Sequence, residues 1–319
     1  MAAAAAGRAA ITAKKRSTIS AMWDAGIVLL TYNGEKYLEQ VLQMLPRQKA
    51  REIIAIDSGS TDSTLQMLQR NSVRIHQITQ AEFSHSRTRN LAAKICTAKY
   101  AVFLTQDATP ADSCWLDCLL RPFETYPRVA ATFSRQIPRP GSDLLEANDL
   151  TMYFKTVRQV KTLPENAEYY RKNIWDFIQF SNSSAAYDRS VLLENPFDET
   201  LEMGEDQEFA KRMLEKGYGI VYEPESMVLH SHDHSISEKY RRNLRMGAAF
   251  SRFLSATLGK RPFPVGAWLY HVSADFFFLA SNNASFGNRL KWLVRSPVHR
   301  AFMHYAYFKG WNSIAGKNR

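Results

Sequence analysis

Short apolar runs alternate with helical segments between Gly26 and Ser134, and this alternation constrains the fold more than any other feature of the sequence. Five of the runs have the length and composition of buried strands: GIVLLTY, EIIAI, VRIHQI, YAVFLT and VAATFS. Segments with helical spacing lie between them. Strands of about five residues that alternate with helices of about ten predict an α/β fold, in which helices cover both faces of a mostly parallel sheet.

Two acidic residues stand where predicted strands end, Asp57 in IAIDSGSTDST and Asp107 in YAVFLTQDATP. Ligands of open α/β sheets bind at the carboxyl ends of the strands, so we expect both side chains at one ligand site. Asp57 can accept hydrogen bonds from a nucleobase or a ribose, or it can be a turn or capping residue. Asp107 can hold Mg²⁺ or Mn²⁺ together with substrate phosphates, or it can cap the helix that follows.

The balance of charge favours an anionic partner. The 319 residues include 41 Lys and Arg against 31 Asp and Glu, which gives a formal net charge of +10. Such a surplus fits nucleic acid, acidic lipid or a phosphorylated substrate and does not choose between them. Nucleic acid is not expected as a partner, because no nucleic-acid-binding module is recognisable in the sequence.

Neither the N-terminus nor any internal run predicts a targeting or membrane-spanning segment. MAAAAAGRAAITAKKRSTIS lacks the basic-then-apolar order of a signal peptide, and we expect a flexible tail over residues 1–24. No uncharged apolar run reaches the roughly 18–20 residues that a membrane span needs. The nearest candidate, FPVGAWLYHVSADFFFLAS, is interrupted by His271 and Asp275.

The three cysteines, Cys96, Cys114 and Cys118, form an odd set. Cys114 and Cys118 are one helical turn apart, with no further Cys or nearby His to complete a zinc site. We therefore interpret all three as reduced packing residues and expect a cytoplasmic protein.

Three histidines alternate in HSHDH, at positions His230, His232 and His234. On a strand all three would share one face, and such a group can bind a metal ion. A merely polar loop is the alternative interpretation, because no cysteine accompanies the histidines.

Four blocks of sequence follow one another between residues 26 and 220: IVLLTYNGEKYLEQVL, EIIAIDSGSTDST, YAVFLTQDATP and MGEDQEFAKRMLEKGY. Together they resemble the inverting nucleotide-sugar glycosyltransferases of glycosyltransferase family two, which have the A-type glycosyltransferase fold. FSHSRTRNLAA and LTQDATP are more similar to the bacterial rhamnosyltransferase branch, which builds O-antigen and other cell-surface polysaccharides. The resemblance implies transfer of a sugar, with L-rhamnose from dTDP-L-rhamnose as the expected donor, to a glycan or a polyprenyl-diphosphate-linked acceptor.

The resemblance also implies a nucleotide-sugar site formed by residues of these blocks. Its expected members are Thr31, Asn33, Asp57, Ser58, Arg89, Gln106 and Asp107. The family usually has Asp-any-Asp at its metal site, whereas this chain has Gln106-Asp107-Ala108 and keeps one carboxylate. Asp107 is expected to meet the diphosphate through Mg²⁺ or Mn²⁺ of modest affinity, and His230 or His232 to complete the metal shell. A metal-independent enzyme is the alternative.

Positive charge for the leaving diphosphate is expected from His85, Arg87 and Arg89 in FSHSRTRN, which precedes a predicted helix near the same rim. The arginine fork matches the geometry of phosphate oxygens. A solvated basic patch is the alternative interpretation. The resemblance favours Arg89, because the step TRN is the part most similar to the family.

The catalytic base is expected at Glu205 or Asp206, which begin a predicted helix. Acids in a first helical turn are commonly simple stabilisers of the helix. The acceptor hydroxyl must lose its proton as it attacks, and a positioned carboxylate typically contributes about 10²–10⁴-fold to such a step. The resemblance implies that Asp206 is the base and that Glu205 is an acceptor or support contact. Asn182 is expected to line the acceptor pocket.

Residues 25–234 are therefore expected to form the catalytic domain, with a nucleotide-sugar half at 25–137 and an acceptor half at 138–234. Residues 235–319 are predicted to be helical, basic and aromatic, as in KYRRNLRMG and HYAYFKGWN. Such helices can lie on the inner face of the cell membrane. A helical subdomain with a solvated basic face, or an oligomer interface, is the alternative.

Other functions have less support in the sequence. A sugar-nucleotide pyrophosphorylase needs a Gly-rich loop with Lys or Arg after the first strand, and TYNGEKY does not supply one. An oxidoreductase is not expected, because no GxGxxG follows an early strand. A non-catalytic protein that binds sugar nucleotides or glycans remains an alternative at this stage.

Overall fold

The computed structural model describes residues 22–231 and 234–315. Within them the strands are β1 (Trp23–Thr31), β2 (Ala50–Asp57), β3 (Arg74–Gln77), β4 (Tyr100–Thr105), β5 (Thr109–Pro110), β6 (Val129–Ile137), β7 (Gln159–Lys161), β8 (Ser184–Asp188) and β9 (Gly219–Leu229). The α-helices are α1 (Glu35–Met44), α2 (Thr64–Arg70), α3 (His85–Ile95), α4 (Trp115–Thr125), α5 (Leu144–Tyr153), α6 (Ala167–Lys172), α7 (Ile174–Ile178), α8 (Arg189–Glu194), α9 (Glu205–Glu215), α10 (Ile236–Leu258), α11 (Val265–Ser281) and α12 (Phe286–Ala315). The predicted tail lies outside the described residues except for its last three positions.

All of these strands belong to one sheet, in the order β3-β2-β1-β4-β8-β6-β9-β5, with β7 paired to β9. The β3, β2, β1 and β4 strands are parallel, and β9 is parallel to β6. The β8 strand is antiparallel to both of its neighbours, and the short β5 and β7 strands are antiparallel to β9. The prediction of a mostly parallel sheet is confirmed.

The register brings the ends of the central strands level with one another. Thr31 of β1 pairs with Asp57 of β2, and Leu30 pairs with Thr105 of β4. Farther along the sheet, Ile137 of β6 pairs with Leu229 of β9, directly before His230. The loops that follow these strands therefore emerge along one edge of the sheet.

Alternating residues of β1 enter two different cores, which explains the continuous apolar run GIVLLTY. Ile27 and Leu29 belong to a core on the side of α1 and α4, whereas Val28 and Leu30 belong to a core that includes Phe209 of α9. A strand buried on both faces reads as a near-continuous hydrophobic stretch.

Two sequence predictions need correction. The Glu-Pro step in YGIVYEPESMVLHSH separates two apolar runs and predicts two short strands, but a single strand, β9, runs through it with a shift of register opposite Ser134 and Arg135. Pro224 has no N–H to donate, and such residues are accommodated at bulges. The packing role expected of all three cysteines holds for Cys96, which is buried, and is wrong for Cys114, which is exposed.

The C-terminal helices α10 and α11 both pack on α12, and α11 and α12 also contact α5. The α10 helix begins at a capping box of Ser235 and Glu238, next to the predicted boundary at residue 235. Gly247 of α10 and Gly310 of α12 meet at their crossing, where a Cβ on either glycine would overlap a backbone carbonyl oxygen of the other helix. In the described part of the chain, no helix combines the length and the apolarity needed to span a bilayer.

Candidate active site

A cavity of about 1340 Å³ lies between the strand ends and the C-terminal helices. Nine of the twelve predicted site residues line it: Thr31, Ser58, Arg89, Gln106, Asp107, Asn182, Glu205, Asp206 and His230. Asn33 and Asp57 lie behind this lining, in the loops that carry it. His232 lies outside the described residues. The structure thus brings residues from distant parts of the chain to one cavity.

Asp57 is fully buried, and its carboxylate organises the loop that follows β2. Its oxygens accept hydrogen bonds from Thr31 Oγ1 at 2.9 Å and from the Ser60 backbone N–H, also at 2.9 Å. The Ser60 hydroxyl and the Gly59 N–H donate to the same carboxylate, and Gly59 has a φ of +89°. This geometry fits the turn-residue interpretation and presents Thr31 and Ser58 to the cavity. A direct contact between Asp57 and a nucleobase stays a prediction.

Asn33 and Gln106 tie the loops of neighbouring strands together. The Asn33 side-chain oxygen accepts a hydrogen bond from the Thr61 N–H at 2.8 Å, and the Asn33 N–H donates to Ser60 Oγ at 2.9 Å. Gln106 accepts from the Tyr32 N–H at 2.8 Å and donates to the Tyr32 carbonyl at 2.9 Å. We call these linked ends of β1, β2 and β4, with the loops that follow them, the strand-end rim (residues 31–34, 57–63 and 106–108).

Asp107 and His230 lie next to each other in the cavity lining. His230 Nε2 lies 3.4 Å from Asp107 Oδ1, and His230 Nδ1 lies 2.7 Å from Gln136 Oε1. Gln136 in turn donates from Nε2 to Ser181 Oγ, so its oxygen is directed at the imidazole. The tautomer protonated at Nδ1 would donate that proton to Gln136 Oε1 and offer the Nε2 lone pair to a cation, which is the arrangement that metal-binding histidines commonly have.

This pair fits part of a divalent cation site. Asp107 and His230 supply one carboxylate and one imidazole, while no group of three or more His, Cys, Asp or Glu suited to a metal occurs among residues 22–231 and 234–315. The remaining ligands of a bound cation would be oxygens of water or of substrate phosphates, as is common for Mg²⁺ sites.

Glu205 is held in a buried ion pair with Arg89. Arg89 Nη1 lies 2.8 Å from Glu205 Oε1, and the two side chains are 4% and 6% exposed. Asn182 Nδ2 donates to the same oxygen at 3.1 Å, and the Tyr187 hydroxyl donates to Asn182 Oδ1. Glu205 therefore has the geometry of a support contact, and the guanidinium of Arg89 is committed to it through Nη1.

The other two residues of the basic segment FSHSRTRN differ in their surroundings. Arg87 is 55% exposed and lies 3.7 Å from Glu199 on the surface, as expected for a solvated basic residue. His85 lines the cavity, where burial and the neighbouring charge of Arg89 lower its pKa to about 4. His85 is accordingly neutral at pH 7.

Asp206 lies at the cavity wall in the first turn of α9, partly exposed to the cavity. Its Oδ2 accepts from the Asn182 N–H at 3.1 Å and its Oδ1 from the Gln207 N–H at 2.9 Å. Burial, and then the charge of the adjacent Glu205, raise the pKa of the Asp206 carboxyl to about 7. A carboxylate with a pKa near 7 is suited to take a proton from a substrate hydroxyl at neutral pH.

Gly204 fixes the position of this helix start. It has a φ of +76°, and a Cβ there would overlap the ring of Phe250 from α10. A glycine is needed for both reasons, since other residues rarely adopt such a φ. The turn before Asp206 is thus packed directly against the C-terminal region.

The C-terminal helices supply cavity residues that sequence reasoning missed. Among them are Arg242, Met246 and Phe250 of α10 and Tyr307 and Trp311 of α12. The segment KYRRNLRMG was assigned to a basic helical region that could face a membrane, solvent or an oligomer partner, whereas Arg242 within it lines the cavity. Alternation of basic and aromatic residues was the only signal present, and it does not reveal which side of a helix faces a site.

The chain is similar in sequence to proteins of one known family. The family model described as Glycosyl transferase family 2 matches residues 26–194. The O-antigen chain rhamnosyltransferase RfbN of Salmonella typhimurium is 31% identical to the chain over 297 residues, covering 90% of each protein. The O-antigen chain rhamnosyltransferase WbaN of Salmonella anatum is 30% identical over 269 residues, covering 82% of this chain and 81% of WbaN.

Solved structures share the fold. The mannosyltransferase PcManGT of Pyrobaculum calidifontis, crystallised with GDP-Man and Mn²⁺, superposes with a TM-score of 0.56 at 17% identity, covering 97% of this chain and 93% of that one. TarS of Staphylococcus aureus (residues 1–349) superposes with a TM-score of 0.52 at 16% identity, covering 92% of both chains. Both alignments include the C-terminal helices as well as the sheet, since they cover more than nine tenths of this chain.

Proposed function

Because the chain belongs to glycosyl transferase family 2 and is an inverting glycosyltransferase of polysaccharide synthesis, we propose that its donor is dTDP-L-rhamnose. We propose as acceptor a glycan or lipid-linked oligosaccharide of O-antigen type. The observation that carries the proposal is that two relatives at least 30% identical over more than 80% of the chain are both O-antigen chain rhamnosyltransferases.

In the proposed reaction Asp206 is the general base. The acceptor hydroxyl attacks the anomeric carbon from the face opposite the nucleoside diphosphate, and its proton passes to the Asp206 carboxylate. The N–H groups of Asn182 and Gln207 hold that carboxylate in place, and its pKa of about 7 suits proton transfer at neutral pH. Glu205, paired with Arg89, supports the helix start and does not take the proton.

The donor nucleotide is proposed to bind along the strand-end rim. Thr31, Ser58 and Gln106 face the cavity there, and small side chains let a flat ligand approach the backbone. Asp57 and Asn33 would act mainly by holding the rim in shape, as their hydrogen bonds to Ser60 and Thr61 suggest. Asn182 stays the proposed link to the acceptor pocket.

A divalent cation is proposed to bind at Asp107 and His230. An imidazole ligand suits Mn²⁺ better than Mg²⁺, which prefers oxygen ligands, so Mn²⁺ is the expected cofactor. When bound, the cation would neutralise charge on the diphosphate. The role of His232 stays a prediction. We expect a chelator to abolish transfer and added Mn²⁺ to restore it; undiminished transfer in chelator would remove Asp107 and His230 from this role.

The C-terminal helices are proposed to touch an anionic membrane surface. An exposed apolar face runs along α11 and α12, formed by Leu269, Phe276, Phe277, Phe286, Val294, Val298 and Phe302. Exposed Lys291 and Arg295 border it on α12. Apolar side chains flanked by cations complement anionic headgroups.

Vesicle binding tests this contact. We expect the full chain to sediment with phosphatidylglycerol vesicles, and Phe277→Ser with Phe286→Ser to weaken binding, since these side chains are 70% and 72% exposed. Val157→Ser, which removes an apolar side chain that is 69% exposed elsewhere, is the matched control. Equal sedimentation of all three proteins would refute the membrane contact. If light scattering shows that the wild type is a dimer and the double variant is not, these side chains form an oligomer interface instead.

The donor is tested with the purified full chain and a set of nucleotide sugars. We expect turnover with dTDP-L-rhamnose to exceed turnover with UDP-sugars and GDP-sugars supplied under the same conditions with an oligosaccharide acceptor. Preference for another sugar nucleotide would overturn the donor assignment while leaving the transferase activity intact.

A further inference from the structure

A leaving nucleoside diphosphate needs a positive charge in the cavity, and four arginines line it. Three of them are already engaged. Arg89 pairs with Glu205, and Arg300 pairs with Asp149 and Asp275. Arg261 lies over the rings of Trp175 and Trp311. The fourth, Arg242, has no ion pair, hydrogen bond or ring partner within the portions of the chain that the structure describes.

Arg242 also lies where such a charge is useful. It stands in the second turn of α10, with its side chain exposed to the cavity. The carboxylates whose charges act on it most are Asp206, the proposed base, and then Glu146 and Asp107, while Arg245 opposes them. The charges of the proposed base and of the proposed cation site thus both act on Arg242, which lines the cavity that would hold the donor diphosphate.

We propose that Arg242 binds the diphosphate of the sugar-nucleotide donor and stabilises it as it leaves, an inference that rests on the proposed function. In that step the bond from the acceptor oxygen to the anomeric carbon forms. The bond from that carbon to the diphosphate oxygen breaks with its electron pair, and the acceptor proton passes to Asp206. The guanidinium fork can donate two parallel hydrogen bonds to the phosphate oxygens that gain this charge.

The helix that carries Arg242 is held firmly enough to place it. The α10 backbone contacts α12 where Gly247 and Gly310 cross, and Phe250 packs on the turn at Gly204 before the proposed base. Arg242 lies five residues before Gly247 and eight before Phe250, so both contacts fix the same part of α10. The C-terminal region would thus complete the donor site rather than only cover it.

Substitutions on α10 test the inference. Arg242→Ala is expected to lower kcat for transfer about 10²-fold, a typical loss for one donor to a developing oxyanion, and Arg242→Lys to lose less. Arg241→Ala is the matched control, because Arg241 is exposed and borders a separate surface groove with Ile236 and Phe302. We expect this control to stay within about twofold of the wild type, since surface changes are usually nearly neutral.

Binding of dTDP and dTMP, measured by calorimetry, separates a phosphate contact from a folding defect. Arg242→Ala should weaken dTDP at least about tenfold and dTMP much less, with an unchanged melting temperature. Transfer and dTDP binding equal to those of Arg241→Ala would overturn the role of Arg242. If wild-type protein transfers no sugar from any donor, the proposed function fails instead, and the dTDP comparison still judges Arg242.

Discussion

The strand-end rim and the C-terminal helices border the same cavity, but they are built in different ways. The rim is held by hydrogen bonds within and between three loops, such as those of Asp57 to Ser60 and of Gln106 to Tyr32. The C-terminal helices α10 and α12 cross with their backbones in contact at Gly247 and Gly310, where neither glycine has room for a Cβ. The rim residues therefore occur in contiguous sequence motifs. The cavity residues of the C-terminal helices are instead determined by how these helices pack.

Replacing Asp206, which like the rim residues was located from a contiguous block of sequence, is the test with the largest expected effect. Asp206→Asn keeps the shape of the side chain but removes its ability to take a proton, so kcat should fall about 10²–10⁴-fold. Binding of dTDP should be retained, because the variant keeps the hydrogen-bonding loops. Steady-state transfer assays and calorimetry measure the two quantities.

Glu202→Gln provides the control for this variant, since Glu202 is an exposed acid just before the same helix. It should retain nearly full activity. Near wild-type turnover by Asp206→Asn would move the base elsewhere and would leave the rim as a binding surface without the proposed chemistry.

The two regions also differ in how much of them could be predicted from the sequence. GIVLLTY and YAVFLT predicted buried strands, because burial on both faces leaves a continuous apolar run. Asp57, Asp107 and Asp206 could be located from the sequence blocks that contain them. Arg242 could not be predicted as a site residue, because the crossing of α10 and α12 determines which side of α10 faces the cavity, and no neighbouring residue in the sequence indicates it. The ion pair between Arg89 and Glu205 could not be predicted either, because 116 residues separate its two members.

A methyl group at the helix crossing tests the other side of the comparison. Gly310→Ala places a Cβ against the Leu244 carbonyl, so α12 must move away from α10. Overpacking of this kind usually costs about 1–3 kcal/mol in the free energy of unfolding. Because α10 carries Arg242 and Phe250, kcat should fall as well, even though the substitution lies outside the strand-end rim.

Gly266→Ala is the matched change in α11, where a Cβ meets no atom within 4 Å. It should be neutral or raise stability by up to about 1 kcal/mol, since alanine favours helix more than glycine does. Thermal unfolding and transfer rates of the two variants give the comparison. Equal behaviour would mean that the crossing of the C-terminal helices does not shape the site.

The smallest expected effect links the two regions through the titration of Asp206. Its pKa of about 7 lies above the usual value of 3.8, so the folded protein holds a proton there that the unfolded chain has lost between about pH 4 and 7. Stability from this group is therefore present below pH 4 and is lost as pH rises through 7, whereas the proposed base is active only once deprotonated. Across pH 5 to 8 we expect kcat/KM to rise and to level off above about pH 7, and the melting temperature of the wild type to fall relative to that of Asp206→Asn. A difference in melting temperature that is constant over this range would show that burial of Asp206, next to the turn at Gly204 on which Phe250 packs, does not raise its pKa.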